Sequence, residues 1–600
     1  MERIPLRNKL LAASAALLLF FLPLISGCAS EAAKSTGDPI TRVVFTRTGA
    51  GLFFDKTLDV TQVAVVNKAG QEVSSQAVNG NVNQVLLDFG WEPNEKYQFE
   101  IDAAPGRFAT TAYAPTKPSP LELGTLELGE VTPADNAFKR GGCPLPRDPQ
   151  RRVEISPDDR YVAIGCQTGK VHMVRIADVK THEELWKQEL GEDQISAMAF
   201  SADSGCLLVG LEGVEAKVRC FDTTTGAEKW SYTASDDVGK GEKSPMTWPL
   251  IRDIVVDSMN RAFVAAERAW FEHKEVEGVP EKFVHFATKF YCFDVASGET
   301  LWVYPEETLD QPARGIEASP DGKYVLLSNG MISIDVYHEG VVYCLDGEGG
   351  TELWQYSIPV LYPFTKAEHH YTGSYITGFI SPDGAYVTML DHDGRVSVFD
   401  MAKMMAAKGK AEPLWEKSLS IPLVDGLAVG YTGDATVEYT AEGILLVNTG
   451  FTYAPAYGGV ELRPLPLLEY SYLNCLFMYS WDGELLSRYR LEGYCPNAKA
   501  VVSDDGMYAV IPIGQTYVPD TLLDSVPRSP ETHGLCIFDL RREGCWTEKL
   551  DWFFHTEGPV LGVDITSDGK HVVAIEVPVD MDPGPEVEKV VGSHRVHFLN

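Results

Sequence analysis

Hydrophobic and polar residues alternate with a period of two in short segments along most of the chain, which is typical of half-buried β-strands. After residue 150 these segments come in pairs separated by turn-forming residues. In the stretch Cys220–Trp230, a strand meets the turn Asp222-Thr-Thr-Thr-Gly226 and returns to end in Trp230. Asp and Gly suit a tight turn, and Trp supplies a large apolar surface for a neighbouring sheet. The pattern therefore predicts a β-hairpin.

This hairpin recurs with the same spacing. Three close copies place Asp, Gly and Trp at equivalent positions: Asp222, Gly226 and Trp230; Asp294, Gly298 and Trp302; Asp346, Gly350 and Trp354. A second element, a Ser-Asp turn that reads Ser-Pro-Asp-Gly at Ser319–Gly322 and Ser381–Gly384, precedes the copies. Counting both elements gives eight units of four strands. Repeated four-stranded units form a β-propeller, because radial packing buries both faces of each sheet.

The predicted fold is therefore all-β, with an eight-bladed propeller over residues 150–600 and seven blades as the alternative. The last unit, ending at Arg595–Asn600, supplies only a third strand. Leu121–Leu128 alternates on either side of a Gly-Thr step, so we expect it to supply the fourth strand and fasten the ring. Residues 116–149 are thus predicted to be a linker with a candidate ring-closing strand.

Residues 38–115 are predicted to form a separate small β-sandwich. Four alternating segments support this: Thr41–Thr46, Val60–Asn67, Val82–Asp88 and Tyr97–Ile101. The stretch Trp91–Phe99 resembles the turn-plus-tyrosine corner of immunoglobulin-like (Ig-like) and fibronectin-type domains. That resemblance implies that the hydroxyl of Tyr97 ties back the corner.

The D-x-x-T/S-G-x-x-x-W hairpins resemble the PQQ-like (quinoprotein-type) propeller repeat, and the Ser-Pro-Asp-Gly turns resemble WD40-type blades. Quinone-dependent enzymes of the PQQ-like group use an adjacent Cys-Cys pair, a Glu and an Asn on calcium, and a catalytic Asp. The sequence contains no Cys-Cys dipeptide and no match to the calcium set. We therefore predict no catalytic residue, no cofactor and no metal site. The chain is also similar to the propeller lipoprotein of the outer-membrane β-barrel assembly machinery, but it is longer.

The first residues indicate export. Arg3, Arg7 and Lys9 precede an apolar run at residues 10–24, which predicts a signal peptide over residues 1–27. Ile25-Ser26-Gly27-Cys28 resembles the lipobox of bacterial lipoproteins. The resemblance implies lipidation of Cys28, a tether over residues 28–37, and a place in the cell envelope, with Ala29 favouring the outer membrane.

The formal charge of the chain is -34, from 51 Lys and Arg against 85 Asp and Glu. An acidic surface repels nucleic acid and anionic lipid headgroups, so we predict no nucleic-acid partner and membrane contact through the lipid anchor alone.

Long connections are expected on one face of the propeller, and loops of this length in a compact fold are usually functional. They are Glu267–Lys289, Pro359–Gly373, Phe451–Leu473, Gln515–Gly534 and Glu576–Arg595. Their aromatic residues are the candidate partner-binding residues: Trp270, Phe271, Tyr362, Phe364, Tyr371, Tyr453, Tyr457, Tyr472 and Tyr517. The sequence thus predicts a non-enzymatic scaffold that binds an envelope protein. The alternative is a binder of carbohydrate or another small ligand, or an enzyme, that uses the propeller funnel.

Overall fold

The computed structural model divides the chain into two compact units, Met1–Leu121 and Glu122–Asn600. It describes residues 39–104, 106–130, 153–168, 171–241, 247–276, 279–334, 338–359, 364–366, 369–391, 395–418, 423–424, 427–428, 436–448, 453–454, 463–464, 475–491, 500–513, 533–542, 546–580 and 590–600. The predicted signal peptide, the tether and Cys28 lie outside these residues.

The first unit is one antiparallel sheet. Its strands are β1 (Ile40–Phe45), β2 (Gly49–Asn67), β3 (Glu72–Asp88), β4 (Lys96–Ala104) and β5 (Gly106–Tyr113). The order is β1-β2-β4-β5, and β3 pairs with the other edge of β2. The two-sheet Ig-like sandwich is not confirmed, because the 19-residue β2 pairs with β1 at its start and with β4 at its end and so joins all five strands.

The corner before β4 is held by two aromatic side chains. The hydroxyl oxygen of Tyr97 accepts a hydrogen bond from the backbone N–H of Glu92 at 2.9 Å. The indole N–H of Trp91 donates to the carbonyl oxygen of Thr46 at 2.8 Å. Phe45 packs edge-on against Trp91, with 5.4 Å between ring centroids. These contacts fix the chain between β3 and β4 on the core of the first unit.

The described residues of the second unit form strands and three short helices. The first are β6 (Glu122–Glu127), β7 (Val153–Ile155), β8 (Tyr161–Thr168), β9 (Val171–Asp178), β10 (Glu184–Gly191), β11 (Gln194–Phe200), β12 (Cys206–Glu212), β13 (Lys217–Asp222), β14 (Glu228–Thr233), α1 (Ser235–Val238), β15 (Leu250–Val256), β16 (Arg261–Val276), β17 (Val279–Asp294), β18 (Thr300–Leu309), β19 (Ala313–Ala318), β20 (Tyr324–Ile334), β21 (Gly340–Asp346), β22 (Glu352–Ile358), β23 (Phe364–Lys366), β24 (His369–Ile380), β25 (Tyr386–Asp391), β26 (Arg395–Asp400), α2 (Met401–Ala407) and β27 (Trp415–Ser418).

The remaining elements are β28 (Leu423–Val424), β29 (Leu427–Ala428), β30 (Thr436–Tyr439), β31 (Gly443–Asn448), β32 (Tyr453–Ala454), β33 (Arg463–Pro464), β34 (Cys475–Ser480), β35 (Leu485–Arg490), β36 (Val501–Val502), β37 (Tyr508–Ile513), β38 (Gly534–Asp539), α3 (Trp546–Lys549), β39 (Leu550–His555), β40 (Val560–Ile565), β41 (Val572–Glu576), β42 (Val579–Asp580), β43 (Val590–Val591) and β44 (Arg595–Leu599). No helix among the described residues is long and apolar enough to cross a membrane.

These strands fall into antiparallel sets of four. The sets are β7–β10; β11–β14; β15–β18; β19–β22; β24–β27; β30, β31, β34 and β35; β36–β39; and β40, β41, β44 and β6. Two pairs of sets are joined into larger sheets, by the pairing of β12 with β15 and by that of β20 with β24. Their middle strands are apolar on both faces, and buried clusters combine residues of adjacent sets, so each sheet is covered by its neighbours. The all-β prediction is therefore confirmed.

The first strands of successive sets contact one another from β7 to β24 and from β30 to β40, and β40 of the last set lies against β7 of the first. The hydroxyl of Tyr439 in β30 donates to the carbonyl oxygen of Phe379 in β24 at 3.1 Å. The carboxylate of Asp564 accepts the backbone N–H of Ile155 at 2.6 Å. The carboxylate of Asp159 accepts the backbone N–H of Ser567 at 2.7 Å. The beginning and the end of the second unit are thus bonded to each other.

The closing contact is a full strand pairing. β6 lies antiparallel to β44, with Leu126 opposite Val596 and Gly124 opposite Phe598. The imidazole of the buried His597 joins the two strands to β41. Its Nδ1 lies 2.6 Å from Glu122 Oε1, and its Nε2 lies 2.8 Å from Glu576 Oε2.

The repeated Asp, Gly and Trp residues have separate structural roles. Asp222 Oδ1 accepts the backbone N–H and the hydroxyl of Thr225, which shapes the turn. Gly298, at φ +74°, leaves room for Trp230 of the preceding set: a Cβ there would lie 2.6 Å from the indole ring. Trp230 Nε1 donates to Val295 O in the same turn at 2.8 Å. Each such Trp therefore docks on the turn of the following set.

Trp354 is an exception because the following set has no Asp-x-x-x-Gly turn. Asp400 instead caps the N-terminus of α2, accepting the backbone N–H of Lys403 at 2.9 Å. Met401 and Met404 of this helix pack in the cluster that contains Trp354. The indole N–H of Trp354 is buried and has no hydrogen-bond partner among the described residues. The helix replaces the apolar contact of the turn but not its carbonyl acceptor.

Candidate interaction surface on the extended hairpin

Strands β16 and β17 extend beyond the sheet that contains them. Each has 16 residues, whereas the corresponding strands β12 and β13 have 7 and 6. Their pairing is continuous from Arg261 and Asp294 to Val276 and Val279. The neighbouring β15 pairs with β16 only as far as Glu267, so the part from Arg268 onward projects past β15. The prediction of a long loop over Glu267–Lys289 is therefore wrong: the segment is a paired β-hairpin, in which Val276 lies opposite Val279.

The root of this hairpin is fixed by Glu267. One carboxylate oxygen of Glu267 accepts the backbone N–H of Ala313 at 2.7 Å, and the other accepts a hydrogen bond from the guanidinium of Arg252. The hydroxyl of Thr288 donates to the carbonyl oxygen of Gln311 at 2.6 Å. Because Glu267 and Thr288 are buried, these bonds are shielded from water. The projecting part of the hairpin thus starts from a firmly held base.

A cluster of aromatic and titratable side chains lies on the projecting part and on two connections beside it. It consists of Trp270, Glu272, His285, Asp310 and His338, and is called the hairpin cluster below. Trp270 and His285 are opposite each other in the hairpin, and their rings stack with 5.5 Å between centroids and 23° between planes. His338 lies edge-on to the neighbouring Phe286.

The imidazole of His285 lies between two carboxylates. Its Nδ1 is 2.9 Å from Asp310 Oδ2, and its Nε2 is 3.1 Å from Glu272 Oε2. Carboxylates accept hydrogen bonds, so both contacts are satisfied when the ring carries two N–H groups and a positive charge. The hydrogen bond with Asp310 and, after it, that with Glu272 raise the pKa of His285. The hydrogen bond with Lys274 and then that with His285 lower the pKa of Glu272.

The arrangement presents an aromatic plane beside a charged ring, with two carboxylates at the surface. The side chains of Asp310 and Glu272 are 51% and 39% exposed, and that of His285 is 28% exposed. A partner that covers this surface can stack on Trp270 and pair with the carboxylates. Within the described residues, no three His, Cys, Asp or Glu side chains are placed to hold a metal ion.

Carboxylates also occur on the first strands of three sets. Glu154 accepts the backbone N–H of Phe200 at 3.3 Å, and Asp253 accepts that of Ile316 at 3.4 Å. Asp564 bonds Ile155 in the same manner, and burial raises the pKa of this carboxyl to about 7. These three carboxylates therefore join adjacent sets.

The structure places only part of the predicted partner-binding set. Trp270 and Phe271 lie on the hairpin, and Phe364 stands opposite Tyr371 in the β23–β24 pairing. Tyr453 is in the short strand β32. The others lie outside the described residues: Tyr362, Tyr457, Tyr472 and Tyr517.

Sequence reasoning missed four members of the hairpin cluster: Glu272, His285, Asp310 and His338. One signal was available, since Val276-Glu277-Gly278-Val279 has the Gly of a two-residue hairpin turn. Counting outward from it places Trp270 opposite His285. The approach of Asp310 and His338, by contrast, depends on packing between connections that are distant in sequence.

Residues 169–437 match a family model described as outer membrane protein assembly factor BamB. Among solved structures, BamB from Moraxella catarrhalis is 12% identical, with a TM-score of 0.41 and coverage of 80% of this chain and 100% of that chain. The β-propeller domain of Cps50 (Swd1) from Myceliophteria thermophila is 11% identical, with a TM-score of 0.38 and coverage of 80% and 99%. Hydrazine synthase from Kuenenia stuttgartiensis is 16% identical, with a TM-score of 0.35 and coverage of 75% and 98%.

No curated protein matches the chain. The family match lies within the second unit and includes the three copies of the Asp-Gly-Trp hairpin. The predicted resemblance to PQQ-like repeats is thereby confirmed, and residues 169–437 are part of a β-propeller similar to the family described as outer membrane protein assembly factor BamB.

Proposed function

We propose that this protein is a non-enzymatic scaffold of the bacterial cell envelope that binds a protein partner through the looped face of an eight-bladed propeller. The looped face is the end of the sheets at which β16 turns into β17. The family match supports a role in envelope assembly, since the matching model is described as an outer membrane protein assembly factor. The hairpin cluster is the observation that carries the choice of surface.

Eight blades are supported by the eight four-stranded sets and by the contacts between their first strands. In such a ring, each blade is covered on both faces by its neighbours, and the platform is rigid. A rigid base suits recognition, because little conformational entropy is lost when a partner docks.

Anchoring through lipid on Cys28, with the protein held at the outer membrane, belongs to the same proposal. The lipobox-like residues Ile25–Cys28 support it. The first unit would be an Ig-like spacer between tether and propeller, and the hydrogen bond from Glu92 to the hydroxyl of Tyr97 supports that comparison.

A protein partner is favoured over a small ligand or substrate in the funnel. Glu154, Asp253 and Asp564 accept backbone N–H groups of adjacent sets. A carboxylate used in this way has fewer free lone pairs for a sugar or a reacting group. The hairpin cluster instead combines a partly exposed tryptophan with surface charge, as hot spots of protein interfaces do.

Photo-crosslinking tests the proposal in the cell envelope. A photoreactive amino acid at Lys274, which lies on the same face of β16 as Trp270 and Glu272 and is 56% exposed, is expected to yield a discrete crosslinked species in membranes that contain the full chain. The matched control is Met259, which is 57% exposed at the other end of the same strand pair. Gel separation and mass spectrometry identify the products.

Crosslinks to one protein from position 274 and none from 259 support the proposal, and Trp270→Ala should then reduce capture about tenfold, as loss of a hot-spot aromatic does. Equal products from both positions, or none from 274, would overturn it. Thermal unfolding of Trp270→Ala separates lost binding from lost structure.

A further inference from the structure

Two cysteines and a lysine meet in the second set of strands. Cys206 begins β12, Cys220 lies in β13 and Lys229 lies in β14. The ammonium of Lys229 donates a hydrogen bond to Cys206 Sγ at 3.2 Å. Both sulfurs are in the interior, since Cys206 is 6% exposed and Cys220 is fully buried. Lys229 reaches Cys206 from the surface, with 36% of its side chain exposed.

The strand register brings the two thiols together. Cys206 is opposite Asp222, and Leu208 is opposite Cys220, so the two cysteines are diagonal neighbours on one face of the sheet. Neither is in a disulfide, as the described cysteines are all free thiols.

A β-bulge positions the lysine. Trp230 pairs with Cys220, and Glu228 pairs with Phe221, so Lys229 is the extra residue between them. The same bulge occurs in the next two copies of the hairpin, where the extra residue is Leu301 or Leu353. There the position of Cys206 is held by Arg261 or Tyr324. The combination of two thiols with an ammonium therefore belongs to this copy alone among the three.

The pKa values of Cys206 and Cys292 are shifted in opposite directions. The hydrogen bond from the Cys220 thiol and the hydrogen bond from Lys229 lower the pKa of Cys206 to about 6, although burial opposes this. Cys292, which lies at the position of Cys220 in the next copy, has its pKa raised to about 12 by burial. Thiolates, and not thiols, are the nucleophilic form of cysteine.

We propose that Cys206 and Cys220 form a redox-sensitive pair that a hydroperoxide converts into a disulfide, with Lys229 holding Cys206 as the thiolate. The disulfide would tie β12 to β13 at the end of the blade where the Ser-Asp turns lie.

The reaction proceeds in two balanced steps. The Cys206 thiolate attacks one oxygen of the hydroperoxide, the O–O bond breaks, and the leaving oxygen takes a proton to become water or an alcohol. Cys206 is then a sulfenic acid. The Cys220 sulfur attacks the sulfenic sulfur, the S–S bond forms, and the hydroxyl leaves as water with the thiol proton. Two thiols lose two electrons, and the hydroperoxide gains them.

Hydrogen peroxide and peptide mapping test the proposal on the reduced full-length protein. We expect a peptide pair joined by Cys206 and Cys220, while Cys292 and Cys344 remain reduced as internal controls. Cys220→Ser should stop the reaction at the sulfenic acid, which dimedone traps on Cys206. Lys229→Met should slow the oxidation about tenfold or more at neutral pH, because it removes a cation that stabilises the thiolate.

Circular dichroism of each variant establishes that it is folded. Oxidation of Cys206 at the same rate as Cys292 and Cys344 would overturn the proposal. So would an unchanged rate in folded Lys229→Met, since that result would remove the ammonium from the mechanism.

Discussion

Replacing Trp302 by alanine is expected to lower the free energy of unfolding of the second unit by about 3–5 kcal/mol, the usual cost of removing a large buried aromatic side chain. The indole of Trp302 is 8% exposed and packs between two strand sets. Its ring lies under Gly350, where a Cβ would come within 2.7 Å of it, and its N–H donates to the carbonyl oxygen of Gly347 at 3.1 Å. The alanine variant loses the packing and the hydrogen bond together. Denaturant unfolding followed by tryptophan fluorescence and circular dichroism measures the cost.

Trp354 supplies a matched control. Changing either tryptophan to phenylalanine keeps an aromatic ring, but only Trp302 has a hydrogen bond to lose. We expect Trp302→Phe to be more destabilising than Trp354→Phe by about 1 kcal/mol, the net value of one such bond. Equal costs for the two phenylalanine variants, or a cost below about 1 kcal/mol for Trp302→Ala, would contradict the role given to the Trp-turn contact.

Replacing His597 by alanine is expected to lower the free energy of unfolding of the second unit by about 3 kcal/mol below neutral pH. The substitution leaves the carboxylate of Glu576 without its charged partner. Glu576 is 2% exposed, and its remaining partners are the backbone N–H groups of Gly558 and Ser593 and the more distant guanidinium of Arg595. Burial opposes protonation of His597, but its hydrogen bonds with Glu122 and Glu576 outweigh this and raise its pKa.

The sign of the pH dependence follows from the raised pKa of His597. Its contribution to stability is fully present below the ordinary histidine pKa of about 6.5 and is lost as pH rises through the folded-state value. The difference in unfolding free energy between the wild type and His597→Ala should therefore shrink from pH 6 toward alkaline pH. Glu122→Gln should lower the free energy of unfolding less than His597→Ala does, because the side chain of Glu122 is 40% exposed. A difference that stays constant with pH would show that His597 acts by packing alone.

Much of the second unit can be predicted from the sequence because short, repeated sequence patterns determine its turns and strands. The Asp-x-x-x-Gly spacing specifies a turn, and the Trp that follows specifies a contact with the next sheet, as Asp294, Gly298 and Trp302 illustrate. The alternation in Leu121–Leu128 predicts a strand, and β6 lies within that segment.

The features that sequence reasoning missed depend on tertiary context. Helix α2 takes the place of the turn on which Trp354 would otherwise dock. A helix of seven residues between two strands is too short to be predicted from the periodicity of its apolar residues. The single sheet of the first unit arises because β2 is long enough to pair with β1 and then with β4. In the hairpin cluster, Asp310 reaches His285 from a separate connection, a proximity that only the packing of strands creates.

The closure of the second unit by a strand from upstream of its repeats is the claim on which the rigid platform depends. Amide hydrogen exchange of residues 122–127 in the intact protein measures it most directly. We predict that the paired amides of β6 exchange as slowly as those of β44, because both strands would open only when the ring opens. Exchange of β6 at the rate of an unstructured peptide, while β41 and β44 remain protected, would contradict a closed ring.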